Sequence, residues 1–389
     1  MKLVFYSVVL NHHQAPVADA FYQLLGDSYV FVETTNLGDS KGATEDYSKR
    51  PYLLQAWKSE TEKDKAMELA QNADACVFSG VAALPFQIER MKRGLLSFDM
   101  SERWLKRGVM NFFSPAIFRM WLTYKLNGWD RKPLYKLCCS AFAAKDQYKL
   151  GTFKNKCYKW GYFTKVGKKN VEMSSDVSTS NITPLMWCSR YLMLKHPELP
   201  VFMAARLKKH GYSFILDMYG SGEYEESAKQ LVMKLGVEDV VKFCGNKPND
   251  ELMTDMRKHE IFLFTSDKNE GWGAVANESL SNGCVLISSD AIGSTPYLVK
   301  DGVNGFSFIS SKTSCGITNP DKKALQSLCE KVEWLLDHPK ERMTMKKQSV
   351  GLMQRTWNPN IAARRLLTLI DCIKNGQESP FEDGPCSRA

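Results

Sequence analysis

Residues 261–287 read IFLFTSDKNEGWGAVANESLSNGCVLI. Four unbroken apolar residues at 261–264 predict a buried strand, and a second apolar run at 285–287 predicts another. Between them lie a loop with Glu270, Gly271 and Gly273, then a helix over 274–280 that carries Glu278. Strand, helix, strand in this order predicts parallel pairing with a right-handed crossover. Working outward, the same alternation predicts strands at 186–188, 213–218 and 240–243 and helices at 200–209, 224–235 and 250–258. Later helices are expected at 322–336, 340–353 and 360–372. The fold class is therefore α/β, built on parallel sheets.

Toward the N-terminus the pattern is looser. The opening run MKLVFYSVVL reads as a buried strand, 17–25 as a helix, and 29–33 and 75–78 as further strands. Residues 100–165 mix Trp, Phe, Lys and Arg without a clean period, so few boundaries can be set there. At about 100–200 residues per domain, 389 residues favour two domains. The polar run KKNVEMSSDVSTS at 168–180 is the natural hinge. Domains are expected at 1–167 and 185–355 around a linker at 168–184, followed by a closing helix at 356–375. The stretch 376–389, GQESPFEDGPCSRA, reads as a disordered tail.

A hydrophobic fraction of 44% with 20 Phe and 9 Trp argues against global disorder. No run of apolar residues is long enough to span a membrane, and the N-terminus lacks a signal-peptide cleavage pattern. The 11 cysteines are odd in number, scattered and mostly in apolar stretches, which favours a reducing compartment. The net charge of +9 is concentrated: residues 90–165 hold 17 basic and 4 acidic residues, +13, and the rest of the chain totals −4. That segment interleaves Trp104, Phe112, Phe113, Phe118, Trp121, Tyr124, Trp129 and Tyr135 with Lys106, Arg107, Arg119, Lys125, Arg131 and Lys132. Aromatics among cations suit an anionic membrane surface; the plainer reading is a domain core with a solvated basic face. No nucleic-acid motif accompanies the charge, so nucleic acid is not expected as a partner.

In open α/β sheets ligands bind beyond the carboxyl ends of the strands. Gly271 and Gly273 would let backbone approach a ligand there, and the helix start at Ala274 offers N–H groups to phosphate. Glu270 and Glu278 flank that point and would hold sugar or ribose hydroxyls. Arg190 and Lys195, just past the strand at 186–188, are two cations suited to a diphosphate, or simply solvated charges. Gly220-Ser221-Gly222 joins a strand to a helix, but the third glycine of a dinucleotide fingerprint is missing. Asn11-His12-His13-Gln14 follows the first strand: either histidine would contact acceptor or donor, or one caps the next helix while the other faces water.

Taken in order, Arg190, Lys195, Gly220-Ser221-Gly222, Glu270 and Glu278 resemble the family 4 retaining glycosyltransferases (glycosyltransferase group 1, GT-B fold). Val241-Lys242-Phe243-Cys244-Gly245 looks like that family's strand before the base-binding loop. Gly293-Ser294-Thr295-Pro296 with Asp301-Gly302-Val303-Asn304-Gly305 is similar to its later signature, although Tyr297 stands where an acid is common. The match covers roughly residues 185–310. The resemblance implies two Rossmann-like domains with sheets facing a central cleft and a donor site in the C-terminal one. It also implies that Arg190 and Lys195 neutralise the donor diphosphate, Glu270 contacts the transferred hexose and Glu278 the ribose, with amides near Gly273 and Ala274 assisting. No metal and no cofactor is expected beyond a nucleotide diphosphate sugar of UDP or GDP type. The acceptor would be a glycan or lipid-linked glycan in polysaccharide assembly, at a cytoplasmic location that extends to the inner face of the cell membrane. An epimerase or phosphorylase of the same fold, or a non-catalytic membrane-docking adaptor, are the alternatives.

Overall fold

The computed structural model describes residues 1–36, 47–106, 108–166, 182–311 and 317–389. Most of the expected linker, 168–181, lies outside the described residues, as do Arg107 and the side chain of Phe112. The chain divides into two compact units, Met1–Lys165 with Thr356–Ala389, and Val166–Arg355.

The first unit is a seven-stranded sheet built from β1 (Leu3–Ser7), β2 (Tyr29–Glu33), β3 (Leu53–Gln55), β4 (Ala75–Ser79), β5 (Ser97–Ser101), β6 (Leu134–Cys138) and β7 (Cys157–Lys159). Its helices are α1 (Ala15–Leu25), α2 (Glu60–Asn72), α3 (Leu84–Arg93), α4 (Pro115–Leu126) and α5 (Ala143–Lys149). The strand order is β3-β2-β1-β4-β5-β6-β7 and each neighbouring pair is parallel. Strand β1 is buried along its whole length, as expected of a strand covered on both faces.

The second unit runs β8 (Thr183–Cys188), α6 (Glu198–Lys209), β9 (Phe214–Tyr219), α7 (Glu225–Leu235), β10 (Val241–Gly245), α8 (Asn249–Met256), β11 (Ile261–Phe264), α9 (Val275–Ser281), β12 (Val285–Ser289), α10 (Thr295–Leu298), β13 (Gly305–Phe308), α11 (Lys322–Asp337) and α12 (Pro339–Arg355). Its six strands are ordered β10-β9-β8-β11-β12-β13, again all parallel. The core on one side of this sheet joins Leu185, Trp187, Leu216, Leu263 and Ile287 to the inner faces of α6, α7 and α11. In each unit the strand order reverses beside the first strand, between β1 and β4 and between β8 and β11. A crevice opens outside the carboxyl ends of such a strand pair, and both sets of expected site residues follow these strands.

Two expectations need correction. The chain after α12 does not end in disorder. Helix α13 (Pro359–Lys374) packs on α1 within the first unit. The last residues then extend the sheet edge: Cys386 N–H donates to the Lys159 carbonyl at 2.8 Å, Lys159 N–H to the Ser387 carbonyl at 2.8 Å, and Ala389 N–H to the Cys157 carbonyl at 3.1 Å. Edge pairing uses backbone groups only, so a polar, Gly- and Pro-containing composition does not forbid it.

The basic segment is also less of a surface than its +13 implies. Arg90 is wholly buried and its guanidinium donates to the carbonyls of Ala70, Ala73 and Leu96 at 2.8, 3.0 and 2.7 Å. Lys136 is buried against Asp99, and Arg103 pairs with Asp146 at 3.1 Å. These three cations serve the interior of the unit.

Candidate functional site

Strand β8 ends at Cys188 and hands the chain to a turn whose shape is set by backbone contact with the β9–α7 loop. Tyr191 N–H donates to the Ser221 carbonyl at 3.0 Å, and Tyr224 N–H to the Tyr191 carbonyl at 3.1 Å. A Cβ on Gly220 would strike the Ser189 carbonyl oxygen, and one on Gly222 would lie 2.7 Å from the Tyr191 oxygen. Both glycines have positive φ. They are therefore required for two loops to touch, whatever else approaches them.

Lys195 closes the short 3-10 turn Met193–Lys195. Its ammonium forms an ion pair with Glu270 Oε2, and both side chains are largely buried. Ser266 Oγ donates to the same carboxylate oxygen at 3.2 Å. The Lys195 carbonyl accepts from Thr265 Oγ1 at 2.6 Å, and Thr265 accepts from the Trp187 indole at 2.8 Å. Asp267 N–H donates to the Leu194 carbonyl at 2.9 Å. The turn after β8 and the loop after β11 are thus laced together, which brings Lys195 and Glu270 to one point from 75 residues apart. Arg190, two residues past the end of β8, is exposed and makes no side-chain ion pair among the described residues.

His196 is the residue that the sequence reading missed. It is buried, has φ +48°, bonds Glu198 Oε1 through Nδ1 at 2.7 Å, and sets Nε2 3.8 Å from Asp267. Burial works against its charge, but the carboxylates of Asp267 and Glu198 outweigh that and hold it up at about 9. An imidazolium between two carboxylates clamps the β8 turn to the β11 loop. No spacing rule in the sequence marks it, because its partners lie two and 71 positions away.

Gly273 (φ +74°) sits where a Cβ would collide with the Phe264 ring. The loop it belongs to is pinned by buried Trp272, whose indole donates to Asn277 Oδ1 at 2.7 Å and whose carbonyl accepts from Ser294 Oγ at 2.6 Å. Gly271 and Ala274 are buried on either side. Ala274 precedes α9, whose start has no side-chain cap. Glu278, one turn into α9, is 8% exposed; burial pushes its carboxyl up to about 7, against the pull of a hydrogen bond with Asn249. Burial and then Glu278 raise the Cys188 thiol to about 12 while Lys195 lowers it, so Glu278 and Lys195 act on the same strand end.

In the first unit, His12 and His13 follow β1 with ring centroids 3.8 Å apart. Neither caps α1: the N-cap is Gln14, without a side-chain cap, and its Nε2 donates to Ser7 Oγ at 3.0 Å. His12 is exposed and His13 half-buried, its backbone N–H held by Asn11 Oδ1 at 3.0 Å. Burial lowers both, and the His12 neighbour lowers His13 further, to about 3. They present a neutral imidazole pair beyond the carboxyl end of β1.

Residues 187–350, from β8 into α12, match the family described as glycosyl transferases group 1. The matched stretch is a little under half of the chain. The chain is 27% identical over 127 residues to the UDP-N-acetylglucosamine–peptide N-acetylglucosaminyltransferase GtfA subunit of Streptococcus pneumoniae, covering 33% of this chain and 24% of that protein. To the D-inositol 3-phosphate glycosyltransferase of Corynebacterium aurimucosum it is 28% identical over 136 residues, 35% of this chain and 29% of that one. The matched stretches therefore span about a quarter of these relatives' length. Over nearly the whole chain it is similar in structure to Anabaena HepE, solved in complex with UDP: TM-score 0.69, 15% identity, 97% of this chain and 99% of that one. That likeness shows the fold as GT-B, two α/β units each on a parallel sheet.

Proposed function

We propose that the chain is a retaining glycosyltransferase of the family 4 type, moving a hexose from a nucleotide diphosphate sugar to a glycan or lipid-linked glycan. The observation that carries this reading is the meeting of Lys195, Glu270 and the Gly273 loop at the reversal point between β8 and β11, with Glu278 buried beside them. A diphosphate there would meet the exposed Arg190 guanidinium and the Lys195 ammonium, which Glu270 and the Thr265 bond already hold in place. Charge on the leaving diphosphate would be met by these two cations and by the amides around Gly273 and Ala274, so the reading needs no metal. Glu270 would accept from hydroxyls of the transferred sugar, and Glu278 from the ribose. His12 and His13, neutral and beyond β1, would serve the acceptor hydroxyl or the sugar. A UDP-linked donor is the first choice, since the Anabaena relative was solved with UDP and with UDP-glucose.

The test is a thermal-shift series with UDP, GDP, ADP and CDP, followed by transfer assays. Binding to the native state raises the melting temperature by mass action, so UDP is expected to give the largest rise. Lys195→Ala and Glu270→Gln should each lose transfer activity by about a hundredfold or more, in line with the loss of one charge-stabilising group. Activity should survive EDTA, and the product anomer read by NMR should match that of the donor. No shift with any nucleotide, or full activity in both variants, would remove the assignment.

A further inference from the structure

Helix α4, PAIFRMWLTYKL, is apolar on two sides. Ile117, Met120 and Tyr124 face the unit's core, where Tyr124 is the one side chain of the helix that is fully buried. Phe118, Leu122 and Leu126 lie around the opposite side, with Trp121 between the two. A helix with apolar residues on two sides ordinarily has both covered by other elements. Here the outer side is open: Phe118 is 57% and Leu126 75% exposed. The 3-10 turn Gly108–Phe113 just before it adds Met110, 73% exposed, and Phe113, 82% exposed. Exposed large apolar residues scattered singly need no explanation, but four within 17 residues form a ridge.

What surrounds the ridge is cationic. Arg119 and Lys125 stand on the same helix and are exposed, and Arg131 and Lys132 follow it. Lys125 lies 4.7 Å over the Trp121 ring, and Trp121 stacks on Phe118 at 6.2 Å. The Trp121 indole N–H reaches the Leu150 carbonyl at 3.1 Å, tying the outer ring to the body of the unit. The helix itself carries no acid; Asp130 is the one carboxylate between residues 108 and 132. Apolar side chains standing proud of a rim of Lys and Arg, with an indole between them, match the layers of an anionic bilayer surface: acyl boundary, glycerol level, headgroup charge.

We propose that Met110, Phe113, Phe118 and Leu126 insert into the headgroup–acyl boundary of an anionic membrane, with Arg119, Lys125, Arg131 and Lys132 on its phosphates. Charge complementarity selects this occupant over a second copy of the chain, since two such ridges facing each other would oppose cation to cation. The inference is independent of the donor assignment, because no residue of the second unit takes part.

The experiment is co-sedimentation of the full chain with phosphatidylglycerol-containing vesicles and with phosphatidylcholine vesicles, alongside a Phe113→Ser/Phe118→Ser/Leu126→Ser variant and an Arg119→Glu/Lys125→Glu variant. All five positions are exposed, so melting temperature and the nucleotide-induced shift should be unchanged in both variants. The full chain should bind the anionic vesicles, and the triple serine variant should bind them more than tenfold more weakly. The double glutamate variant should also weaken binding, roughly fivefold for each cation removed, and salt should weaken the parent chain. Equal binding by parent and triple variant, or no preference for anionic vesicles, would overturn the proposal. So would a parent that is dimeric in solution and becomes monomeric in the triple variant, which would assign the ridge to self-association.

Discussion

Glu278 shows how a buried carboxylate ties stability to pH. Its folded-state value of about 7 lies above the 4.5 of an exposed glutamate because burial disfavours the charge. A group raised in this way stabilises the fold at low pH, and that stability is lost as pH rises from 4.5 through 7. Above pH 7 the ionised form costs about 3 kcal/mol, taking 1.36 kcal/mol per unit. Glu278→Gln should therefore melt higher than the parent at pH 8 and equally below pH 4.5, as read by calorimetry. If the ionised carboxylate receives ribose hydroxyls, nucleotide binding near pH 7 should release a proton in the parent and none in Glu278→Gln. Titration calorimetry in buffers of different ionisation enthalpy measures that directly. His196 runs the same sign from the opposite charge type: raised from 6.5 to about 9, it stabilises fully below 6.5 and loses that contribution as pH climbs to 9. The melting-temperature deficit of His196→Gln should be largest below pH 6.5 and should fade above 9. A pH-independent deficit would mean that packing, not the imidazolium clamp, is what His196 supplies.

At the scale of elements, α13 is the clearest case of a segment whose place depends on distant partners. Its start is capped by Asn358 Oδ1, which accepts from Ile361 N–H at 3.0 Å, with Pro359 in the first turn. Its buried face, Ala362, Ala363, Leu366, Leu369 and Ile370, lies in the first unit, where α1 buries Ala15, Val17, Ala18 and Phe21. Exposing three large aliphatic side chains costs about 1.5–3 kcal/mol each, comparable with the whole stability of a domain. A chain ending at Arg355 should lose cooperative melting of the first unit while the second, residues 166–355, still melts higher with UDP. Calorimetry with and without nucleotide separates the two transitions; survival of both would show that α13 is dispensable. Elements hidden from the sequence have physical causes. Strands β5 and β6 carry Asp99 and Lys136, which pair with each other inside the unit and break the apolar runs by which strands are read. Helix α4 sets Arg119, Thr123 and Lys125 among apolar residues on two of its sides, so its helical period is weak although its residues are helical.

At the scale of the molecule, the alternation of apolar runs with amphipathic helices by itself determined an α/β fold with parallel sheets. It did so because β8, β11 and β12 of the second unit are centred on short apolar runs bounded by loop residues. The order Arg190, Lys195, Glu270, Glu278 was legible for the same reason: these residues follow strand ends, and parallel topology places strand ends together. Tertiary structure alone decided the rest. It put Arg90 and Lys136 inside, leaving the surface of the basic segment narrower than its charge. Gly220 and Gly222 became contacts between two loops, His196 became a clamp between segments remote in sequence, and the final residues became backbone partners of a sheet edge. Each of these depends on which atoms meet across long separations, and neither periodicity nor composition records such meetings.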